Sequence, residues 1–452
     1  MGVLGAIAGA AKRLVLGDVI VRRNPLYYGA IRRWQQRLDG DFEQRRALIA
    51  RQLQIALEQA SRTPYGRRIG AGTDLASWPL LEKPPLREAP ADFFGPNAWL
   101  TGEASTSGTT GLQVPLRRSF QSMTVEQAYI DRVIEALGIP SRGARIAILR
   151  GENVKSAEDR EPPFWIGSGH GRRLHFSCTH LGPDTIAHYA RALREFAPQV
   201  LWVYPSNLEW LCTLLQRSGE RLAVPCVLSS SEVLSPTMWQ LARDVLGARV
   251  ADYYGQAERV AFGAALEPGR FRFSPGYAYV ELIPLTTAGG VTRHEIVGTT
   301  LWNAAMPLVR YRTGDFVELP ESFGAIEREE IALGLRDIPG VLGRTVEYLV
   351  APDGAILNSA GNLTKGLESI IRLQVLQPEL DQVKVHVLVT PGFGARDLAT
   401  LRQNSREAFP PTMTVDVDVV EQLHRTAVGK TPLVVHGAPV KAYLEKRAAC
   451  SP

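Results

Sequence analysis

The chain has 452 residues, of which 45% are hydrophobic, 21% charged and 8% aromatic, a composition that excludes intrinsic disorder and fits an ordered globular protein of two or three domains. Lys and Arg number 51 against 46 Asp and Glu, a formal net charge of +5. The basic residues come in short pairs such as Arg22-Arg23, Arg32-Arg33, Arg117-Arg118 and Arg172-Arg173, which can attract an anionic ligand but give no long basic footprint for nucleic acid.

At the start, "MGVLGAIAGAAKRLVLGDVIVRR" is apolar with basic interruptions. Lys12 and Arg13 follow the apolar stretch and the charged head of a signal peptide is missing, so the reading is a packed helix or one that grazes a membrane surface. No run reaches the ~18 uninterrupted apolar residues of a membrane span. Cys178, Cys212, Cys226 and Cys450 show no C-x-x-C spacing, which suits a reducing, cytoplasmic compartment.

Residues 41–62 predict a helix, with Leu48, Leu53, Ile55, Leu57 and Ala60 set among charged residues and "TPYGRRIG" ending it. A second helix is expected over 121–137. The apolar runs "RIAILR", "QVLWVYP" and "VPCVLSSSEVL" then alternate with helical stretches at 185–197 and 207–217, the signature of a largely parallel sheet covered by helices. Past about residue 270 the sequence turns strand-rich and predicts an antiparallel subdomain. "DQVKVHVLVT" and "TMTVDVDVV" flank the helical "ARDLATLRQNSREAF" near the end, so a small α+β domain is expected from about Arg344. The expected fold is therefore α/β, with a large domain over 1–343 of mixed βα sheets and a β-rich part, and a small mobile domain over 344–452.

Residues 104–111 read "ASTSGTTG". Glycines allow close backbone approach, and hydroxyls and amides donate to anion oxygens, so the stretch can cradle phosphates; a flexible polar turn is the plain alternative. It is not a Walker motif. Gly429-Lys430-Thr431 also fails that pattern, because His424 stands where its first glycine belongs.

Three distant segments accompany the loop: "ADYYGQAERV" at 251–260, "VRYRTGDFVEL" at 309–319 and "LGRTVEYLVAPDG" at 342–354. With Lys430 they follow the order and spacing of the adenylate-forming enzymes. Over roughly residues 80–435 the chain resembles that superfamily, in the branch of phenylacetate–CoA ligase, CapK-type capsule-biosynthesis and coenzyme F390 synthetase-like proteins.

The resemblance implies ATP, Mg²⁺ and a small carboxylic acid as reactants and ligands. Thr106, Ser107, Gly108, Thr109, Thr110 and Gly111 would hold the β- and γ-phosphates, with Ser230, Ser231 and Glu232 beside the adenine. Tyr254 would stack on the base, Gly255 would admit substrate, and Glu258 would bind Mg²⁺, for which one carboxylate suffices. Asp315 would accept from the ribose hydroxyls, Arg344 would contact ribose or phosphate, and Lys430 would reach the reacting oxygen. Trp165, Trp202, Tyr204 and Tyr253 would border the acyl pocket, suiting an aryl or other apolar acid; simple core packing is their alternative reading.

The implied reaction is formation of an acyl-adenylate with release of pyrophosphate, then rotation of the small domain about a hinge near 345–347 and transfer to coenzyme A, a carrier thiol or another acceptor. Transfer of AMP to an acceptor and a non-catalytic nucleotide-binding scaffold are the alternatives. "SAGNLTKGLES" resembles the loop for the second step, with Gly361, Asn362 and Glu368 in matching places. Departures from the pattern are Gln113 in place of a proline, Ala257 in place of a hydroxyl residue, and Val346 in place of an aspartate, whose acidic role would pass to Glu347. His175, Cys178, His180 and Cys226 include zinc-ligand types, but their spacing matches no firm zinc pattern.

Overall fold

The computed structural model describes residues 21–96, 101–105, 114–150, 154–156, 159–342, 349–353, 356–357, 363–364, 367, 369–425 and 431–449. The N-terminal segment 1–20, the hinge positions 345–347 with Val346 and Glu347, and Gln113, Gly361, Asn362 and Glu368 lie outside them. The chain divides into two compact units, Met1–Leu342 and Gly343–Pro452.

In the first unit, hydrogen-bonding side chains set the helix starts. Asp41 accepts from the Gln44 amide ahead of helix Phe42–Ser61, and Ser119 accepts from the Ser122 amide ahead of helix Phe120–Ala136. "TPYGRRIG" does more than end a helix. Thr63 caps a new short helix, Pro64–Ile69, which closes on Gly70 at φ +65°, the left-handed turn that glycine adopts readily.

Strands β1 (Thr101–Ser105) and β2 (Pro115–Ser119) pair antiparallel, with Ser105 opposite Pro115. Eight further strands form one sheet: β3 (Ile146–Leu149), β4 (Trp165–Ser168), β5 (Arg173–Phe176), β6 (Val200–Val203), β7 (Cys226–Ser230), β8 (Arg249–Gly255), β9 (Phe262–Ala265) and β10 (Phe271–Phe273). Their order is β10-β9-β8-β7-β6-β3-β5-β4. The five strands β8-β7-β6-β3-β5 are parallel, and antiparallel strands stand on both sides of them.

β3, β6 and β7 are buried at every position, which is why they read as unbroken apolar runs. Alternation sends their side chains into two separate cores. Leu149, Leu201, Val203 and Val227 pack against helices Ile186–Phe196, Pro205–Ser218 and Pro236–Leu246. Ile148, Trp202, Cys226 and Leu228 pack against helix Phe120–Ala136.

β11 (Ala278–Ala288), β12 (Val291–Thr300) and β13 (Tyr311–Pro320) make a three-stranded antiparallel sheet. In the second unit β14 (Leu349–Val350) and β15 (Ile356–Leu357) form a small ladder. β16 (Ile370–Glu379), β17 (Gln382–Val389), β18 (Thr414–Val419) and β19 (Val434–His436) form a sheet of order β18-β17-β16-β19. Helix Ala395–Ala408 carries the chain from β17 to its parallel neighbour β18. Among the described residues no helix is long and apolar enough to cross a membrane.

Gly298 on β12 lies so close to the chain at Val260 that an added Cβ would sit 2.0 Å from the Val260 carbonyl oxygen. Gly298→Ala should therefore destabilise the first unit by about 2 kcal/mol through overpacking, read as an earlier midpoint in urea unfolding followed by tryptophan fluorescence.

Candidate active site

In an open parallel sheet, ligands bind beyond the carboxyl ends of the strands. Here those ends are Arg150 after β3, Tyr204 after β6, Ser231 after β7 and Gly255 closing β8. The Arg150 guanidinium carbon lies 4.4 Å from the centre of the Trp202 ring and 5.2 Å from that of Tyr204. Its Nη2 donates to Ser231 Oγ at 3.2 Å. Tyr253 on β8 adds a ring 6.2 Å from Trp202. Ser231 holds φ +73°, a conformation disfavoured for serine.

β13 is tied to β8 and to the turn that follows it. Tyr254 donates its hydroxyl to Asp315 Oδ2 at 2.7 Å, and Tyr311 donates to Glu258 Oε1 at 2.7 Å. The Gln256 amide also reaches the Tyr254 hydroxyl. Along β13, Tyr311, Thr313 and Asp315 all face inward, because a strand sends every second side chain to one face. Gly314 between them has φ +70°, and Thr313 Oγ1 accepts from the Asp315 amide while donating to the Ile296 carbonyl.

Glu258 is 3% exposed. Among the described residues only its Oε1 accepts a hydrogen bond, which leaves Oε2 for a cation, so the donor chemistry fits one carboxylate ligand to Mg²⁺. Arg118 on β2 donates to the carbonyl of Ala257, the residue before Glu258, at 2.7 Å. Burial foremost, then the nearby Arg259 charge, lower its pKa to about 10.

Several expected site residues lie outside the described set: Thr106, Ser107, Gly108, Thr109, Thr110, Gly111, Arg344 and Lys430. The flanks of two of these segments are defined. β1 and β2 close the base of the hydroxyl-rich loop. On the second unit, Gln374 bonds the His424 amide and carbonyl and the Pro432 carbonyl, and Arg372 donates to the Thr431 carbonyl. Those four bonds hold both sides of the segment that includes Lys430.

Glu232 accepts from the Ser206 amide and hydroxyl at 2.9 and 3.0 Å, so it sits at the positive N-terminus of helix Pro205–Ser218. The expected pocket aromatics divide. Trp202 and Tyr253 belong to the core under helix Phe120–Ala136, whereas Trp165 on the edge strand β4 packs against the opposite core, 5.7 Å from Phe176.

The four zinc-type residues are engaged separately. His175 Nε2 meets Ser168 Oγ, His180 Nδ1 meets Ser177 Oγ, and the Asn207 amide meets Cys178 Sγ, while Cys226 is a buried free thiol. Among the described residues no group of three or more His, Cys, Asp or Glu gathers to hold a metal.

The sequence reading passed over Arg150, Tyr311, Arg118, Gln256 and Gln374. Two had a signal: Arg150 is the charge that ends the run "RIAIL", and Tyr311 shares the period-two face of Asp315. The others act through contacts between distant segments, which spacing does not reveal.

Asp252 on β8 carries a buried Oδ1 with no hydrogen-bond partner. Burial pushes its carboxyl up to about 7, against the opposing pull of the Ser229 hydroxyl. An unfolded aspartate titrates near ~3.9, so between those values the folded protein binds more protons and stability falls as pH rises, levelling off above about 7. Asp252→Asn should remove that limb, whose slope is at most ~1.4 kcal/mol per pH unit, in urea unfolding compared with the parent from pH ~4 to ~8. Tyr311→Phe, which strips a donor from buried Glu258, should cost about 2 kcal/mol in the same measurement at neutral pH.

Residues 349–437 match the CapK C-terminal domain model. Over 339 residues the chain is 20% identical to Protein CapK of Staphylococcus aureus, spanning 73% of each chain. It is 23% identical over 337 residues to phenylacetate-coenzyme A ligase of Pseudomonas putida, covering 70% of this chain and 72% of that one. The crystal structure of 2-hydroxyisobutyryl-CoA ligase in the postadenylation state with 2-HIB-AMP aligns with a TM-score of 0.60 at 16% identity, covering 90% of this chain and 92% of the ligase. The chain is a homologue of CapK and of the phenylacetate–coenzyme A ligases, built on the fold of the adenylate-forming CoA ligases.

Proposed function

We propose that the chain is an adenylate-forming ligase that activates a carboxylic acid with ATP and passes the acyl group to coenzyme A. The observation that carries this reading is the reciprocal tie of Tyr254 to Asp315 and Tyr311 to Glu258. It joins the two motifs that a nucleotide's base, ribose and phosphates would need together. Supporting it are the homologous phenylacetate-coenzyme A ligases and a solved ligase of this fold that holds an acyl-adenylate.

In the first step a carboxylate oxygen attacks the α-phosphorus of ATP, and the bond to the bridging oxygen of pyrophosphate breaks. Pyrophosphate leaves with the electron pair, and acyl-AMP remains. Thr106, Ser107, Gly108, Thr109, Thr110 and Gly111 donate to the β- and γ-phosphates, and Lys430 stabilises charge on the reacting oxygens. Asp315 orients the ribose, with Tyr254 held flat against the base by its own bond to that carboxylate, Ser231 beside the adenine, and Arg344 on ribose or phosphate. Glu232 acts through the turn it fixes at the head of helix Pro205–Ser218. Glu258 would hold Mg²⁺, which when bound neutralises phosphate charge. In the second step the coenzyme A sulfur attacks the acyl carbon, the bond to AMP breaks, and the thiol proton passes to solvent. The large division into 1–343 and 344–452 lets the segment with Lys430 serve the first step and withdraw for the second.

Acid-dependent exchange of labelled pyrophosphate into ATP, over aryl, fatty and amino acids, should give signal with at least one acid, and added coenzyme A should yield a thioester. ATP binding without exchange for any acid would sink the reading, and exchange without thioester would favour another acceptor. Lys430→Ala should slow adenylation by about 100-fold or more while sparing thioester formation from supplied acyl-adenylate; equal loss in both steps counts against its role.

A further inference from the structure

We infer that Arg150 makes this site select a carboxylic acid carrying a second anionic group, an inference that rests on the proposed adenylation and names its substrate class. Alternation along β3 sends Ile148 and Arg150 to one face, the face that holds Trp202 and Tyr253. The wall expected to receive an apolar acyl group is thus roofed by a guanidinium, 4.4 Å above Trp202 and 5.2 Å from Tyr204.

The buried part of the guanidinium lacks an acceptor. It has five N–H donors, yet among the described residues its one hydrogen bond runs from Nη2 to Ser231, and its Nε is buried with no partner. Trp202 Nε1, in the ring beneath it, is likewise buried and has no partner within hydrogen-bond distance, the Tyr253 hydroxyl lying on its side at longer range. Both orphan groups are donors, so the missing component is an acceptor, and beside a fixed positive charge an anionic oxygen satisfies it best. Glu232, whose field reaches the same Tyr204, directs its two oxygens to the Ser206 amide and hydroxyl. No described carboxylate forms an ion pair with Arg150.

Position separates this group from the nucleotide's ribose end. β3 lies three strands from β8 in the sheet, about 14 Å at ordinary strand spacing, whereas Tyr254, Glu258 and Asp315 cluster beyond β8. A ligand that presents its reacting carboxylate near Glu258 and extends along the carboxyl ends of β7 and β6 would bring its far end under Arg150. The aromatic rings beneath suit an aryl body, and the guanidinium suits a carboxylate, sulfonate or phosphate on it.

The test is pyrophosphate exchange with phenylacetate and with its ortho-, meta- and para-carboxylated forms, together with methyl esters of the second carboxyl. At least one diacid should exceed phenylacetate and its own ester in kcat/KM by about 10- to 100-fold, the range for a charged hydrogen bond. Arg150→Gln should erase that preference, and Arg150→Lys should keep part of it. Exchange confined to the uncharged partners, or a wild-type preference for phenylacetate over all three diacids, would overturn the inference and leave the adenylation reading standing. A uniform loss for every acid in Arg150→Gln with a raised KM for ATP would also overturn it, making Arg150 a nucleotide contact. Absence of exchange with any acid at all overturns both. The wild-type panel decides even if Arg150→Gln does not fold.

Discussion

Two phenol-to-carboxylate hydrogen bonds that tie β13 to β8 and to the turn after it set the geometry on which the rest of the site depends. The tie is reciprocal in composition: β8 supplies a tyrosine and leads into a glutamate, and β13 supplies a tyrosine and an aspartate. Each bond places a neutral donor on a buried carboxylate, an arrangement stronger than a neutral pair and costly to leave half made. Two sheets that share no ladder are thereby held in register, and Asp315 and Glu258 stay oriented before any ligand arrives.

The second organising constraint is the period of two along the parallel strands. It gives the sheet two unlike faces: one packed against three helices and the antiparallel strands β11–β13, and one whose strand ends collect Trp202, Tyr204, Tyr253 and Arg150. A single position of slip along β3 would send Arg150 into the helical core and Leu149 to the pocket. The chemistry at the carboxyl edge is therefore a consequence of register, which complete burial of β3, β6 and β7 holds firmly.

Much of this architecture was readable from the chain. Unbroken apolar runs separated by helical stretches announce buried parallel strands, and the alternating text of 382–389 and 414–419 announces half-buried ones. The antiparallel strands that flank the parallel five were harder, because β4 and β10 span four and three residues and carry little pattern. Of the site, "YYGQAE" and "YRTGD" declared themselves by residue type. Their union did not, since no spacing in the sequence says that Tyr254 meets Asp315 across 61 positions. Glu232 shows the same limit: no spacing in the sequence says that it meets the amide and hydroxyl of Ser206. Arg150 carries no mark in its residue type, being one of many arginines in the sequence, and the aromatic residues that surround it read as an apolar pocket.

Ser231 has a meaning that its backbone angle brings out. A serine at φ +73° sits where glycine would rest without strain, and holding it there costs of order 1 kcal/mol. Glycine would relax the turn but would also delete the hydroxyl that receives Arg150 and donates toward Ser230. The fold therefore trades local backbone comfort for one oxygen atom. That trade turns the bend after β7 into a peg against which the guanidinium is set, so the aim of Arg150 is determined from the neighbouring strand as much as from its own.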